Sequence, residues 1–349
     1  MNSVPPAAAR LAARPGDPGL FLALAPMDGV TDWAFRELIT ELGGVSLCAS
    51  EFVRVTDRPV PAKVLRRHCP ELDRGGRTPA GVPVFLQLLG GEPEPMARTA
   101  ELAARMGAAG IDLNFGCPAK TVNRHDGGAS LLREPARIER ITRAVRAAVP
   151  VELAVTVKLR TGWQDSADAP LVARAAEAGG AAWLTMHGRT RMDQYGPPAD
   201  WGAIGRARAA VAIPMVANGD LNDHGAVERC ARASGAAGFM LGRGSMGRPH
   251  LFRALRGLEP DGPPELERLL ELLRRYCDLM LGAGTPERSA VNRVKQWLCY
   301  GSRVEPTLAP MFEAIKRATT LRDVLRGEAR LEGPARSAQP RTFFAASRT

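Results

Sequence analysis

From residue 20 onward, short apolar runs alternate with longer stretches whose apolar residues recur three or four apart, which predicts strand and helix in turn. The runs are FLALAPM (Phe21 to Met27), LCASEFV (Leu47 to Val53), VPVFLQLLG (Val82 to Gly90) and GIDLNFG (Gly110 to Gly116). They continue with LAVTVKLR (Leu153 to Arg160), AAWLTMHG (Ala181 to Gly188), IPMVANGD (Ile213 to Asp220) and AAGFMLGRG (Ala236 to Gly244). Between them, segments such as PMARTAELAARMGAAG and REPARIERITRAVRAAV place apolar residues on one helical face and arginines on the other. Eight such units, with near-continuously apolar strands, predict a closed parallel (β/α)8 TIM barrel of α/β class. An open doubly wound sheet is the rival, but no GxGxxG follows the first run.

After about residue 257 the pattern turns to helices alone, in PPELERLLELLRRYCDLML, SAVNRVKQWLCYGS and LAPMFEAIKRATTLRDVLRG. The expected organisation is a disordered tail over 1–19, the barrel over 20–257, a small all-helical domain over 258–330 and a flexible tail over 331–349. From Arg288 to Arg326 the chain carries eight basic residues against three acidic ones, which gives the helical domain a basic face.

Composition narrows the class. No run reaches the roughly eighteen apolar residues of a membrane span. The Ala/Pro/Arg-rich N-terminus, broken by Arg10 and Arg14, lacks the apolar core of a secretory signal, so a cytoplasmic protein is expected. Cys48, Cys69, Cys117, Cys230, Cys277 and Cys299 lie no nearer than 21 positions to one another, which excludes the close pairs of ordinary zinc sites. No metal or disulfide is expected. The net charge of +10 points to a polyanionic partner. Of 47 basic residues only five are lysines: Lys63, Lys120, Lys158, Lys295 and Lys316.

In such a barrel, reactive groups gather where strands end at the C-terminal face. Those ends read Pro26-Met27-Asp28, Glu51, Gln87, Asn114 to Cys117, Lys158 and Arg160, His187, Asn218-Gly219-Asp220, and Gly242-Arg243-Gly244. The loops after the seventh and eighth runs, ANGDL and LGRGSMG, offer glycine backbone and Arg243 to a phosphate, although each glycine alone is an ordinary turn residue. A phosphate-anchored cofactor would lie across the mouth. There Gln87 and Asn114 offer paired amides to a ring with alternating carbonyls and N–H groups, as in an isoalloxazine or a uracil, and Lys158 offers positive charge. His187 reads equally as a structural histidine, and Asp28 and Glu51 as turn or ion-pair residues. Cys117 sits between Gly116 and Pro118 on the lip of the fourth strand. A thiol of pKa about 8.5 is mostly protonated near neutrality, so it can act as an acid as well as a nucleophile.

LAPMDGVTD, SEFVRV, QLLG, DLNFGCPAKTVNRHDGGASLL, VKLRTGW, HGRT, ANGD and GRG, in this order, resemble the tRNA-dihydrouridine synthases. Within that family, SEFVRVTDRPVPAKVLRRHCPEL and RVKQWLCY are similar to the subgroup that modifies position sixteen of the tRNA D-loop. The resemblance implies a monomeric enzyme with an FMN-binding barrel and a helical tRNA-binding domain. It would reduce the C5=C6 bond of uridine with NADPH, or alternatively NADH, as reductant. On this likeness Cys117 would protonate C5 after hydride transfer from flavin N5 to C6. Pro26, Met27, Asp28, Gln87, Lys158, His187, Asn218, Gly219, Asp220, Gly242 and Arg243 would hold FMN. Asn114 and Arg160 would line the uracil, and Arg54, Arg293, Lys295, Tyr300 and Lys316 would bind tRNA. Two positions depart from the subgroup: Phe115 replaces a smaller cysteine, and Lys316 stands where arginine is expected. Two rival readings share part of the pattern. One is a barrel flavoenzyme reducing a free small molecule of the dihydroorotate or enoate class, which leaves the basic helices unexplained. The other is a non-catalytic RNA-binding protein that uses the barrel as a scaffold.

Overall fold

The computed structural model describes residues 16–119, 127–194, 196 and 198–324. Its strands, in chain order, are β1 (Phe21–Leu24), β2 (Leu47–Ala49), β3 (Val53–Arg54), β4 (Val84–Leu89) and β5 (Ile111–Asn114). They continue as β6 (Val155–Arg160), β7 (Leu184–His187), β8 (Met215–Asn218) and β9 (Gly238–Leu241). Every pairing between them is parallel, in the order β2-β1-β9-β8-β7-β6-β5-β4-β3, and a further β2–β4 pairing closes the ring. The expected TIM barrel is therefore present, with eight strands in the ring and β3 outside it.

The run LCASEFV is not one strand but two. Both pieces lie along β4, β2 beside Val84 and Phe85 and β3 beside Leu88 and Leu89, while Ser50 to Phe52 steps out between them. Side chains of the break take over backbone pairing there. Ser50 Oγ accepts the Gln87 N–H at 3.0 Å, and Glu51 Oε1 accepts the Val30 N–H at 3.1 Å.

The outer helices begin at the residues that favour a start. Asp32, Asp200 and Asp223 accept the N–H three residues on, at 3.0, 2.9 and 2.7 Å, and so cap Trp33–Leu42, Trp201–Ala209 and His224–Ser234. The helices Pro93–Arg105 and Pro135–Ala148 each start on proline, whose missing N–H costs nothing in the first turn. The barrel floor is aromatic. Trp183 meets Phe85 at 5.5 Å and Phe21 at 6.3 Å between ring centroids, and Ala23, Leu47, Val216 and Met240 pack around them. Gly110 allows this, since a Cβ there would lie 2.4 Å from the Phe85 ring.

One ion pair is entirely inside. Arg36, on Trp33–Leu42, is 0% exposed and donates through Nε and Nη2 to both Glu71 carboxylate oxygens at 2.8 Å. Its Nη1 reaches the Thr31 carbonyl at 3.0 Å. Burial drives the guanidinium toward neutrality, yet the Glu71 charge and hydrogen bonds more than offset this and raise its pKa.

The described residues up to Pro264 form one compact unit and those from Glu265 a second. The second comprises the helices Leu266–Gly282, Glu287–Ser302 and Ala309–Ile315 around a core where Tyr276 meets Trp297 edge-on at 5.4 Å. No helix among the described residues is long and apolar enough to cross a membrane. Both expected tails fall outside the described residues except for 16–19, as do Lys120, Asn123 and His125.

Candidate active site

Strand register sets the polar groups beside one another above the aromatic floor. Gln87 stands opposite Asp112, Asp112 opposite Thr156, Asn114 opposite Lys158, and His187 between Arg160 and Asn218. Because strand side chains alternate in direction, these same-face positions all point into the barrel. They join in a chain. Thr156 Oγ1 donates to Asp112 Oδ1 at 2.6 Å, Gln87 Nε2 to Asp112 Oδ2 at 2.7 Å, and Asn114 Nδ2 to Gln87 Oε1 at 2.8 Å. Asn114 Oδ1 then accepts the N–H groups of Gly116 and Cys117, each at 3.0 Å. The buried carboxylate thus orients the Gln87 amide, which orients Asn114, which holds the backbone of the thiol-bearing residue. Gln87 has one N–H and one lone pair, and Asn114 one N–H, not used in these bonds.

Arg160 secures the same loop from the other side. Almost completely buried, it donates to the carbonyls of Gly116, Thr190 and Gln194 at 2.9, 2.8 and 2.9 Å, tying the loops after β5 and β7 together. Cys117 is half-buried, and its own carbonyl accepts the Ala129 N–H at 3.1 Å. Burial, assisted by the Asp28 charge, pushes its thiol pKa up, against the pull of the Ala119 N–H, Arg160 and Lys158. The thiol is therefore held protonated at neutral pH. Phe115 is fully buried and its N–H continues the ladder to the Lys158 carbonyl at 2.9 Å, so its ring falls on the outward side of the strand.

Lys158 donates to Asn218 Oδ1 at 3.2 Å, and Asn218 Nδ2 donates to the Met240 carbonyl at 2.8 Å. Burial first, then Arg160, lowers the Lys158 pKa to about 8, with Asp112 and Cys117 opposing the fall. Burial also pushes Asp112 up, while hydrogen bonds from Gln87 and Thr156 and the Lys158 charge pull it back. His187 is held well below its ordinary value, by burial and then by Arg160, Lys158, Arg189 and Arg243, so its imidazole is neutral.

These cations make one end of the mouth an anion basin. Asp220 orders it: its Oδ2 accepts from Arg189 Nη2 at 2.6 Å and its Oδ1 from Arg243 Nη2 at 3.1 Å, while Ala199 N–H reaches Oδ2 at 3.0 Å. Asp220 itself lies in the left-handed region at φ 55°. The preceding Gly219 has φ 115°, and a Cβ there would sit 3.0 Å from the Ala199 Cβ and 3.4 Å from the His187 ring, so the backbone stays bare. Its carbonyl accepts the Trp201 Nε1–H at 2.9 Å. Pro26 and Met27 are half-buried beside this basin, with Met27 Sδ 3.3 Å from where a Gly242 Cβ would be, and Asp28 is exposed.

Sequence reasoning passed over Asp112, Thr156 and Arg189. The first two carried a readable signal, since a polar residue two before Asn114 and another two before Lys158 share their inward faces; Arg189 lay two beyond His187 in the quoted HGRT. Arg54, exposed at the end of β3, stands apart from this hydrogen-bonded group. Within the second unit, Arg293 and Tyr300 are half-buried, and Arg303 lies over the Tyr300 ring at 5.4 Å. Lys295 Nζ donates to the Ala318 carbonyl at 2.9 Å, and exposed Lys316 pairs with Glu313.

Comparison with known proteins matches this arrangement to a family. The model of the dihydrouridine synthases (Dus) matches residues 23–339. A tRNA-dihydrouridine(16) synthase of Cupriavidus necator is 46% identical over 314 residues, covering 89% of this chain and 96% of that protein. A protein of the same name from Salmonella typhimurium is 42% identical, covering 87% and 96% respectively. Among solved structures, DHODH of Eimeria tenella in complex with ferulenol aligns with a TM-score of 0.52 at 12% identity, over 75% of this chain and 82% of that one, and shares the fold. The chain belongs to the dihydrouridine synthase family.

Proposed function

We propose that this protein is a cytoplasmic tRNA-dihydrouridine synthase that reduces the C5=C6 bond of uridine 16 in the tRNA D-loop, with FMN as cofactor and NADPH as reductant. The position is supported by relatives that bear this name and align over almost their whole length. One observation carries the chemistry: a thiol held protonated by its surroundings shares a barrel mouth with a half-buried lysine and an arginine-lined anion basin.

The basin fits the phosphate of FMN, with Arg243, the bare backbone at Gly219 and Gly242, and Asp220 keeping the arginines in place. Gln87, Lys158 and Asn218 would then meet the ring, with Pro26, Met27 and Asp28 at its edge and neutral His187 as a hydrogen-bonding wall. When bound, the flavin supplies hydride to C6 of the uracil. Cys117 Sγ holds the proton for C5, and the backbone hydrogen bonds from Asn114, together with the Arg160 clamp, keep that sulfur in place. The remaining N–H of Asn114 is available to the uracil edge. RNA bases must leave their stack to enter such a mouth, and basic residues such as Arg54, Arg293, Lys295, Tyr300-supported Arg303 and Lys316 offer charge and stacking to hold the tRNA meanwhile.

The test is to incubate unmodified tRNA with the protein, FMN and NADPH and to map the mass gain of H2 along the RNA. Gain at position 16 is expected. Gain only at another D-loop position, or reduction of free uridine or orotate at a matching rate, refutes the assignment. A pH dependence follows from Lys158. Its charge is present below about pH 8 and lost above it, so uridine reduction at saturating NADPH is expected to decline as pH rises through that value. In Asp112→Asn the opposing negative charge is gone and the decline shifts to lower pH; an unchanged midpoint would rule out this coupling.

A further inference from the structure

We propose that Arg133, Trp163 and Arg191 form a phosphate-binding bracket on the barrel rim that grips the RNA backbone beside the extruded uridine. This rests on the functional reading above and adds to it a site in the barrel itself.

The Trp163 ring carries two guanidiniums, that of Arg133 at 4.3 Å and that of Arg191 at 5.1 Å from guanidinium carbon to ring centroid. Cation–π contact orients an arginine while leaving its N–H groups free to meet an anion. No carboxylate pairs with either arginine among the described residues, and Arg191 Nε, although buried, has no hydrogen-bond partner among them. The described acidic residues nearest in sequence are engaged elsewhere. Asp193 accepts the Thr190 N–H at 2.8 Å, Asp165 accepts the Ala167 N–H at 2.8 Å, and Glu134 lies 3.6 Å from Arg137. Among the described residues the two positive forks thus have no carboxylate partner, the Arg191 Nη1 contact to Met192 Sδ at 3.9 Å being to a weak, uncharged acceptor.

The bracket is stitched to the reactive loop. Arg133 closes the short helix Gly128–Arg133, whose Ala129 donates to the Cys117 carbonyl. Trp163 follows β6, and the carbonyls of Gly162 and Trp163 accept the N–H groups of Arg191 and Met192 at 2.9 and 3.0 Å. Arg160 joins the same loops beneath. Three loops therefore present one basic edge at the end of the barrel where Cys117 lies. Paired planar forks match phosphate oxygens in a way that lysines do not.

The experiment measures tRNA affinity against salt for the flavin-loaded protein and its Arg133→Gln/Arg191→Gln variant. Each phosphate left without its guanidinium lowers the slope of log affinity against log salt by about 0.7 to 0.9. The double variant is expected to lose about 1.5 in slope and roughly tenfold in affinity near physiological salt. Trp163→Leu, which frees both forks, should fall between parent and double variant, and Trp163→Phe should recover toward the parent. Arg98→Gln, whose guanidinium already pairs with Glu94, is the control and should leave both quantities unchanged. If the double variant no longer holds flavin, exposed Arg133 alone is tested, with half the slope change expected. An unchanged slope and affinity in variants that keep their flavin overturns the bracket while leaving the functional reading intact. Failure of the parent itself to bind tRNA or form dihydrouridine removes the functional reading, and the bracket with it.

Discussion

Cys117→Ala is expected to keep its flavin absorbance band and to lose dihydrouridine formation by about 10²- to 10⁴-fold, the range that removal of a general acid costs. The reason lies in what the thiol does and does not touch. The anion basin and the Gln87, Lys158 and Asn218 side chains belong to β4, β6, β8 and the loops after β7, β8 and β9, so none of them needs the sulfur to hold its position. The backbone of Cys117 is held by Asn114 and Ala129 whichever side chain it carries. What alanine removes is the proton that burial keeps on the sulfur. Single-turnover reaction of the reduced protein with tRNA measures this directly, without the reductant step. Cys117→Ser, with a hydroxyl of similar reach, should retain more activity than alanine. Undiminished turnover in the alanine protein would remove the thiol from the chemistry.

Glu71→Ala is expected to destabilise the barrel by about 3–5 kcal/mol, because it leaves the Arg36 guanidinium buried without its counter-charge. With about 2–4 °C lost per kcal/mol in domains of 150–250 residues, the midpoint of thermal unfolding should fall on the order of 10 °C. Removing both charges is a different experiment. Arg36→Met with Glu71→Leu replaces the pair by apolar groups of similar size and should recover most of the loss, since desolvating two ions largely cancels their attraction. A melting curve for the three proteins decides it. If the parent and both variants melt together, the pair has no bearing on stability.

Much of the molecule was readable because the barrel repeats one rule. Most apolar runs carried a polar residue at or near their C-terminal end, and several of these proved to be neighbours through register: Asn114 with Lys158, His187 with Asn218. The second run misled because LCASEFV has the composition of a continuous strand, whereas Ser50 and Glu51 spend their side chains on Gln87 and Val30 N–H groups and break the ladder. Asp112 shares the inward face of Asn114, but its role as an anchor depends on two partners 25 and 44 residues away, which only the folded strands bring to it. Arg36 and Glu71 were out of reach for the same reason, being 35 residues apart with nothing local to mark either as buried. The bracket on the rim was equally invisible, since its three residues come from three loops.

The aromatic floor made by Phe21, Phe85 and Trp183 has a kinetic meaning. It stoppers one end of the barrel, so whatever reaches the polar chamber enters and leaves through a single doorway. On the proposed function the reductant and the target base both use that doorway, so each in excess is expected to inhibit the other in steady-state kinetics.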